Sequence, residues 1–395
     1  MKKISLLLFI LIGTVASVVA QVDLKNRIIN NQSDNSKAGF QFTTVVNAEA
    51  TPVENQAASG TCWSYSTNSF LESEMIKAGG PDIHLSPIYS ARCAYMEKAE
   101  NYVRMHGAVS WGDGGEPHDV INMFARYGAI PETEYTGLNY GTKQNDFGEM
   151  MAILKGMLDQ VIKAPNHGKL TPVWKDAFSK VLDTYLGVVP TTFNYQGKVY
   201  TPMTFAKDVV ALKPDNYIEF ISQTNTPYWK KSMMLVPDNW EFQHDWNIPM
   251  DDMTAIIDYA LQHGYTVAWG ADVSEKYFSW KSGIAYVPET SFREMTPEER
   301  ADMFDGPKPE LDITPQLRQE AFDDYQTTDD HGMQITGIAK DQTGKQWYIV
   351  KNSWGTNNIY KGYLYVSKDY VKYKTTSFMV NKSAIPEDIK QKIGI

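Results

Sequence analysis

Cysteine is scarce in this sequence: Cys62 and Cys93 are the only two among 395 residues. A framework of several disulfides is therefore excluded, and a single bridge between these two would consume both thiols. Cys93 lies on a helix that we predict to begin at Ser86-Pro87, a cap followed by proline in the first turn, and we interpret it as a buried free thiol. Stability must then come from packing rather than from cross-links.

Basic residues are also in deficit, with 37 lysines and arginines against 47 aspartates and glutamates and a formal charge of −10. Nucleic-acid binding requires a basic face, so we do not expect it here. The seven histidines show no metal-site spacing, and the chain has no phosphate-cradling glycine loop. We therefore expect neither a metal ion nor a cofactor.

Long apolar runs are missing after the first twenty residues. Met1–Ala20 contains two lysines, an apolar run from Leu6 to Ile12 and small residues before Gln21, which is the pattern of a cleavable signal peptide. The run is too short to span a bilayer, although a membrane anchor is the weaker alternative. We therefore expect a secreted or periplasmic protein whose mature chain carries no membrane anchor.

The stretch that organises the chain is "QAASGTCWSYSTNSFLESEMIK", which contains Cys62. Trp63, Phe70 and Met75 recur at roughly helical spacing, and Gly79-Gly80 ends the pattern. Cys62 is thus predicted in the first turn of a helix, where free backbone N–H groups and the helix dipole favour a thiolate, the nucleophilic form of cysteine. Taken alone, the residue is better interpreted as a small buried apolar side chain, and the case for a nucleophile depends on the segments downstream.

A second informative stretch, "DDHGMQITGIAKDQTGKQWYIVKNSWG", predicts two strands joined by a turn at Asp341 to Gly344. His331 opens the first strand and Asn352 closes the second, so an antiparallel hairpin brings them together. A cysteine nucleophile needs a general base, and that base needs a group that fixes its orientation. An Asn oxygen can accept from one imidazole nitrogen, and Gln56 can donate its amide N–H to an oxyanion together with the Cys62 backbone N–H.

Three segments, "NQAASGTCWS", "DDHGMQI" and "VKNSWGT", resemble the active-site blocks of papain-like cysteine peptidases. "GDGGEPHDVINMFARYGAIPE" resembles the segment that borders the substrate cleft in that family. "WNIPMDDMTAIIDYALQHGYTVAWGADVS" resembles the branch that contains bleomycin hydrolase and bacterial aminopeptidase C. The likeness covers most of the mature chain, although Ser59 occupies the position where many relatives have a second cysteine.

The resemblance implies an α+β fold of two lobes, one helical and one an antiparallel β lobe, with the active-site cleft between them. It implies that Cys62 attacks the carbonyl, His331 transfers the proton, Asn352 orients His331 and Gln56 binds the oxyanion. We expect Cys62 beside His331 to have a depressed pKa and to form an ion pair. The resemblance further assigns a set of residues to the cleft: Gly114 and Gly115, which can pair with an extended substrate, and Trp63, Asp330 and Trp354.

Two of these residues carry specific expectations. Trp354 resembles the tryptophan that covers the His–Asn hydrogen bond, although it can equally be an ordinary core residue. Asp330 precedes His331 directly, and its carboxylate raises the pKa of His331 if it faces the ring. The alternative for Asp330 is a solvated turn residue.

The domain organisation that we predict is a signal peptide at 1–20, an N-terminal arm at 21–50 and a peptidase domain at 51–395 with an insertion at about 131–250. The insertion follows from spacing, because 269 positions separate Cys62 from His331, against ~130–150 in papain-like enzymes. Helical patterns lie at 146–163, 172–186 and 251–263, and strand-like runs at 198–205 and 217–222. Residues 293–325 are expected to form a charged helical excursion on the surface.

The expected activity is hydrolysis of peptide substrates, with an aminopeptidase narrowly favoured over an endopeptidase. In the bleomycin hydrolase branch the terminal carboxylate of the chain lies in the cleft and restricts cleavage to free amino termini. Here the chain stops soon after Pro386, and a six-residue helix from Glu387 to Lys392 spans only ~9 Å. A non-catalytic peptide-binding protein is the weaker alternative, acyl transfer stays open, and a homo-oligomer, hexameric in related proteins, is also implied.

Overall fold

The computed structural model describes Lys25, Ile28, residues 39–165 and residues 168–395. Within these ranges the chain forms a helical lobe and a lobe built on one large sheet, as the sequence predicts. The predicted signal peptide and most of the predicted N-terminal arm lie outside the described residues. The end of the arm forms strand β1 (Phe42–Asn47).

Three helices form the first part of the helical lobe: α1 (Cys62–Lys77), α2 (Pro87–Arg104) and α3 (Pro117–Tyr127). The Ser86 side chain accepts a hydrogen bond from Tyr89 N–H at 3.1 Å, which caps α2. Gly128, with φ of 80°, ends α3. Helix α1 is central, because every residue from Cys62 to Met75 is buried. A helix that is buried on all sides needs no polar face.

The region predicted as an insertion is divided between the two lobes. Its first half forms α4 (Gly148–Val161) and α5 (Val173–Leu186), whose apolar side chains join the core of α1 and α2. A two-stranded ribbon follows, β2 (Phe193–Tyr195) and β3 (Lys198–Tyr200). The strand expected over 198–205 is therefore wrong after Tyr200. Thr201 caps a short helix, α6 (Pro202–Phe205), because Pro202 cannot continue the ribbon but suits a first helical turn.

The sheet of the second lobe draws on distant parts of the chain. Strands β4 (Tyr217–Ile221), β5 (Lys230–Met233) and β6 (His244–Asn247) come from the second half of the predicted insertion. The others are β7 (Val267–Ala271), β8 (Phe278–Ser279), β9 (Ile284–Ala285), β10 (His331–Asp341), β11 (Gln346–Lys351), β12 (Tyr363–Ser367) and β13 (Thr375–Asn381). Their order is β5-β6-β4-β13-β7-β10-β11-β12-β9-β8, and β1 pairs with β10.

Strand β10 is the element on which the rest of the sheet is assembled. Its first half, from His331 to Ile335, pairs with β7, its second half pairs with β1, and β11 returns along its other side. The turn between β10 and β11 lies where the sequence predicts it, with Gly344 at φ 88°. Because β10 starts at His331 and β11 ends at Lys351, the residues before and after this hairpin meet at one edge.

Four further helices cover the sheet lobe: α7 (Met250–Gln262), α8 (Pro297–Ala301), α9 (Pro315–Asp323) and α10 (Lys368–Lys374). The excursion at 293–325 is not wholly superficial as expected, since α9 buries the Arg318 guanidinium. That group donates to four backbone carbonyls, among them Ser222 O at 3.0 Å and Lys372 O at 2.9 Å. The charged Arg318 side chain therefore binds the 293–325 segment to the sheet lobe.

The C-terminal helix α11 (Glu387–Ile393) packs with its apolar side into the core of the sheet lobe through Ile389 and Ile393. Its Lys392 Nζ lies 3.6 Å from Asp252 Oδ1 on α7 and 4.5 Å from the ring centre of Trp229. The tail is thus held against α7.

Both cysteines are free and buried, so the interpretation of Cys93 as a buried thiol is confirmed. Of the helices in the described part of the chain, none combines the length and the apolar character needed to cross a membrane.

Candidate active site

Cys62 is the first residue of α1 and lies where the helical lobe meets the start of β10. Its side chain is 4% exposed. The backbone N–H groups of Gly332 and Trp63 face its sulfur closely enough to lower the pKa of the thiol, in opposition to burial. An added Cβ at Gly332 would lie 3.1 Å from Trp63 Cα, so the absence of a side chain there lets α1 approach β10. The nucleophile predicted from the sequence therefore abuts the strand that begins with the predicted base.

His331 and Asn352 are brought together by the β10–β11 hairpin, as the sequence predicts. The Nε2 atom of His331 and Oδ1 of Asn352 are 2.8 Å apart. The same Asn352 oxygen accepts from the Ser353 backbone N–H at 2.7 Å. Trp354 lies against the imidazole with a ring-centre separation of 4.6 Å, which shields this contact from water. The hydrogen bond leaves the Nδ1 atom of His331 available for another partner.

Gln56 joins the segment before α1 to the segment after β11. Its backbone N–H donates to Ser353 O at 2.9 Å, and its Oε1 accepts from the Ser353 hydroxyl at 2.6 Å. One amide hydrogen is used, because Nε2 donates to Ser59 O at 2.8 Å. An amide NH₂ has two donors, so the second remains for a substrate oxygen. Ser353, which the sequence reasoning passed over, fixes which end of the amide carries the donors.

The protonation state of the site differs from the expected ion pair. Burial raises the pKa of the Cys62 thiol to about 12, although the two backbone N–H donors oppose this. Burial lowers the pKa of His331 to about 4, although its hydrogen bond to Asn352 opposes this. Removing both groups from water disfavours both charged forms. The prediction of a depressed Cys62 pKa is therefore wrong, and the closed site favours a neutral thiol beside a neutral imidazole.

Asp330 does not act on His331 in the way considered from the sequence. Its Oδ1 accepts from the Val273 backbone N–H at 2.9 Å, and its Oδ2 accepts from the Thr328 hydroxyl at 3.3 Å. The groups that shift the pKa of His331 are burial, Asn352 and Lys25. Burial and the neighbouring Asp272 hold the pKa of Asp330 well above its ordinary value. Asp330 therefore ties the exit of β7 to the start of β10, and it is not a solvated turn residue either.

The glycine pair that the resemblance assigns to the cleft lies directly over Trp63. The Trp63 indole donates to Asp113 O at 2.9 Å, and a Cβ at Gly115 would lie 2.9 Å from the indole ring. Trp63 is 2% exposed, so it supports this segment from beneath. A Cβ at Gly114 would lie 2.0 Å from the Asp238 carboxylate. Asp238 belongs to the loop between β5 and β6, and local sequence gave no signal of its position.

Lys25 is a second residue that the sequence reasoning missed. Its Nζ lies 3.3 Å from Asn55 Oδ1 and 3.3 Å from Ala57 O, on either side of Gln56. Its positive charge lowers the pKa of His331, and burial lowers its own pKa to about 8. This residue of the predicted arm is thus close enough to the site to act on it electrostatically.

Three groups of histidine and carboxylates in the described residues have the spacing of metal ligands: Glu54, Glu72 and His84; His118, Glu219 and Asp245; and His118, Asp119 and Glu241. In each, the histidine already has a carboxylate partner. His84 Nδ1 lies 3.3 Å from Glu72, and His118 Nδ1 lies 2.8 Å from Glu219. Pairing of His84 with Glu72 and of His118 with Glu219 accounts for these groups without an ion.

Comparisons with known proteins identify the family of this chain. The sequence model described as the Peptidase C1-like family matches residues 91–394, a range that includes His331 and Asn352 and begins after Cys62. Aminopeptidase C of Lactobacillus delbrueckii subsp. lactis is 24% identical over 404 residues, which cover 91% of this chain and 86% of that protein. The mitochondrial cysteine proteinase 1 of Saccharomyces cerevisiae (strain ATCC 204508 / S288c) is 21% identical over 428 residues, covering 95% of this chain and 84% of the yeast protein.

A solved structure gives the same result for the fold. PepW from Lactobacillus rhamnosis HN001 superposes with a TM-score of 0.72 at 19% identity, over 94% of this chain and 90% of that one. The two chains therefore share a fold.

Proposed function

The chain belongs to the Peptidase C1-like family and has its papain-like α+β fold, and from that premise we propose that it is a cysteine aminopeptidase acting through an acyl-enzyme. The observation that carries the proposal is the contact between two lobes: Cys62 at the start of α1 abuts Gly332, and the adjacent His331 is hydrogen-bonded to Asn352 at 2.8 Å. A nucleophile, a base and an orienting group are the parts that cysteine acyl transfer requires.

In the proposed reaction, a neutral His331 takes the thiol proton as the Cys62 sulfur attacks the peptide carbonyl. Asn352 holds the ring through Nε2, so the proton moves to Nδ1. The oxyanion accepts from the free amide hydrogen of Gln56 and from the Cys62 backbone N–H. His331 then donates its proton to the leaving amine, and water attacks the thioester with His331 again as base.

Two observations favour removal of residues from the amino terminus. A relative aligned over most of the chain is an aminopeptidase C. The free amino group of a peptide is also the feature that a cleft lined with carboxylates recognises, as argued below. The runner-up is an endopeptidase on the same fold, since Lys392 on α11 contacts Asp252 of α7 and Trp229.

Export and assembly belong to the same proposal. The pattern at 1–20 supports secretion or transfer to the periplasm, and amino-terminal sequencing of the mature protein should begin at Gln21. A first residue of Met1 would contradict cleavage. The homo-oligomer implied by the resemblance stays a prediction, which light scattering on the purified protein checks.

The decisive experiment compares Cys62→Ala with Cys93→Ala, since both thiols are buried and free. Each enzyme is incubated with a peptide library that has free amino termini and with an acetylated copy, and the products are mapped by mass spectrometry. We expect Cys93→Ala to release residues from the free termini only, and Cys62→Ala to retain less than about 1% of that rate. Hydrolysis by Cys62→Ala would contradict the assignment of Cys62 as the nucleophile. Internal cleavage of acetylated peptides would show that the protein is an endopeptidase and not an aminopeptidase.

A further inference from the structure

We infer that three carboxylates, those of Glu116, Asp238 and Asp329, form the receptor for the α-ammonium group of the substrate's first residue. The inference rests on the proposed function and names its substrate-selecting residues. They come from three parts of the chain: the residue before α3, the loop between β5 and β6, and the segment before β10.

Asp238 is the member that lies in the path of an extended peptide. An added Cβ at Gly114 would lie 2.0 Å from its Oδ2, 2.6 Å from its Cγ and 2.9 Å from its Oδ1, so the carboxylate rests on the bare backbone of that glycine. Its side chain is 24% exposed, which leaves it open to a ligand from the cleft. A chain continuing past the cleaved residue along Gly114 meets this carboxylate.

Glu116 and Asp329 form a second part of the receptor. Burial and the proximity of Asp329 hold the pKa of Glu116 well above its ordinary value, so the pair retains a proton. Glu116 is 1% exposed, and its Oε1 meets no donor from the described part of the chain. A buried carboxylate oxygen without a donor is costly, so this arrangement is suited to a cationic donor supplied from outside.

The balance of charges around Glu116, Asp238 and Asp329 favours an ammonium group as the ligand. Lys98 is the protein cation that approaches the group, with its Nζ 3.9 Å from Asp238 Oδ1 and 2.9 Å from Gly114 O. Glu219 adds a further negative charge that acts on Glu116 and Asp329, although its own oxygens accept from Ser377 and pair with His118. An α-ammonium brings one positive charge and three donors, and it can replace the shared proton between Glu116 and Asp329.

The receptor is close enough to Cys62 to hold the residue that is cleaved. Negative charges on Asp329 and Asp238 both raise the pKa of the Cys62 thiol, so each carboxylate acts on the sulfur electrostatically. In the first residue of a peptide, the α-nitrogen is two bonds from the carbonyl carbon that Cys62 attacks. An ammonium held by these carboxylates therefore presents that carbonyl to the sulfur, whereas an acetylated nitrogen offers neither the charge nor the extra donors.

The test uses two fluorogenic amides of the same amine, one of alanine and one of propionic acid, which differ only in the α-ammonium group. Values of kcat/KM are measured for the wild-type enzyme, Asp238→Asn and Asp329→Asn. The control is Asp215→Asn, which removes an exposed carboxylate in the turn before β4. Thermal unfolding shows whether each variant is folded, and the partly exposed Asp238 is the position least able to disturb the core.

We expect the wild-type enzyme and Asp215→Asn to prefer the alanyl amide strongly. Asp238→Asn and Asp329→Asn should each lower that preference by about 10- to 150-fold, the range of a charged hydrogen bond, through loss on the alanyl amide alone. An unchanged preference in a folded, active Asp238→Asn enzyme overturns the inference. By contrast, a wild-type enzyme that cleaves neither amide, or keeps its rate in Cys62→Ala, overturns the proposed function instead.

Discussion

At the scale of single residues, the burial of both reacting groups is the property with the clearest chemical effect. A thiolate–imidazolium pair would be alkylated at a rate nearly independent of pH from mildly acidic to neutral solution. The neutral pair instead leaves the nucleophilic thiolate as a minor form, since burial raises the pKa of Cys62 to about 12 and lowers that of His331 to about 4.

We therefore predict that the inactivation of the enzyme by iodoacetamide accelerates by about tenfold per pH unit between pH 6 and 9, because each unit increases the thiolate fraction tenfold. The measurement is the second-order inactivation rate of Cys93→Ala, in which Cys62 is the sole thiol. A rate that is flat over this range would mean that the ion pair forms despite burial.

The four residues proposed for catalysis could be found from the sequence because each lies in a short segment with a local signal. Cys62 begins a periodic helix, and His331 and Asn352 lie at the ends of a hairpin. Their protonation could not be predicted, because it depends on burial contributed by both lobes. Asp238 was out of reach for a similar reason: its contact with Gly114 spans more than a hundred positions, and the loop that carries it has no pattern of its own.

At the scale of elements, the packing of α1 on β10 sets the distance between nucleophile and base. Gly332 is the point of closest approach, where an added Cβ would lie 2.8 Å from Ser66 Oγ and 3.2 Å from Trp63 N. Farther along, the Ser69 hydroxyl donates to Gln334 Oε1 at 2.7 Å and fixes the same pair of elements.

Gly332→Ala should consequently push the start of α1 away from β10. We expect a loss of stability of about 1–3 kcal/mol from overpacking and a fall in kcat of about 10²-fold from misplacement of the sulfur. Gly156→Ala is the matched control, because an added Cβ on α4 meets nothing within 4 Å. Chemical unfolding and steady-state kinetics measure both effects, and wild-type kcat in Gly332→Ala would show that α1 adjusts without moving Cys62.

Helices were easier to predict than strands in this chain. Helices α3, α5 and α7 follow from periodicity and from their terminal residues. The ribbon of β2 and β3 was missed in part because Val199, Thr201, Met203 and Phe205 lie at alternate positions as in one strand, whereas Thr201-Pro202 starts a helix. The position of β13 between β4 and β7 could not be predicted either, because pairing across the sheet is decided by contacts far apart in sequence.

At the scale of the whole molecule, the buried carboxyl groups make the protein less stable as the pH rises, which is an unusual direction. Burial raises the pKa of Asp113 and Asp329 to about 6, of Glu74 and Asp119 to about 7, and of Glu54 and Asp245 to about 8. A carboxyl group with a raised pKa contributes stability in its protonated form, and that contribution disappears as pH rises through the folded-state value. His331, with a lowered pKa, has the opposite sign, but it acts only below about pH 6.5.

We accordingly expect the melting temperature to fall by several degrees between pH 5 and pH 8. Asp245→Asn should flatten this dependence and raise the melting temperature at pH 8, because both oxygens of the buried Asp245 lack a donor from the described residues. The melting temperatures of the wild-type protein and of Asp245→Asn are measured across this pH range by scanning calorimetry at low salt. A melting temperature that rises over this range would show that these acids are ionised at little cost.

The order of the chain relative to the sheet has a consequence for biosynthesis. Cys62 leaves the ribosome early, whereas its base follows 269 positions later, and β1 must wait for β10 as its partner. Contacts this distant in sequence form slowly and only in a nearly complete chain. A half-made molecule thus carries a thiol without a base and a cleft without its second wall. If the proposed assignment of Cys62 and His331 holds, the nascent chain cannot cleave peptides in the translating cell until both segments have been made, since 269 positions separate them.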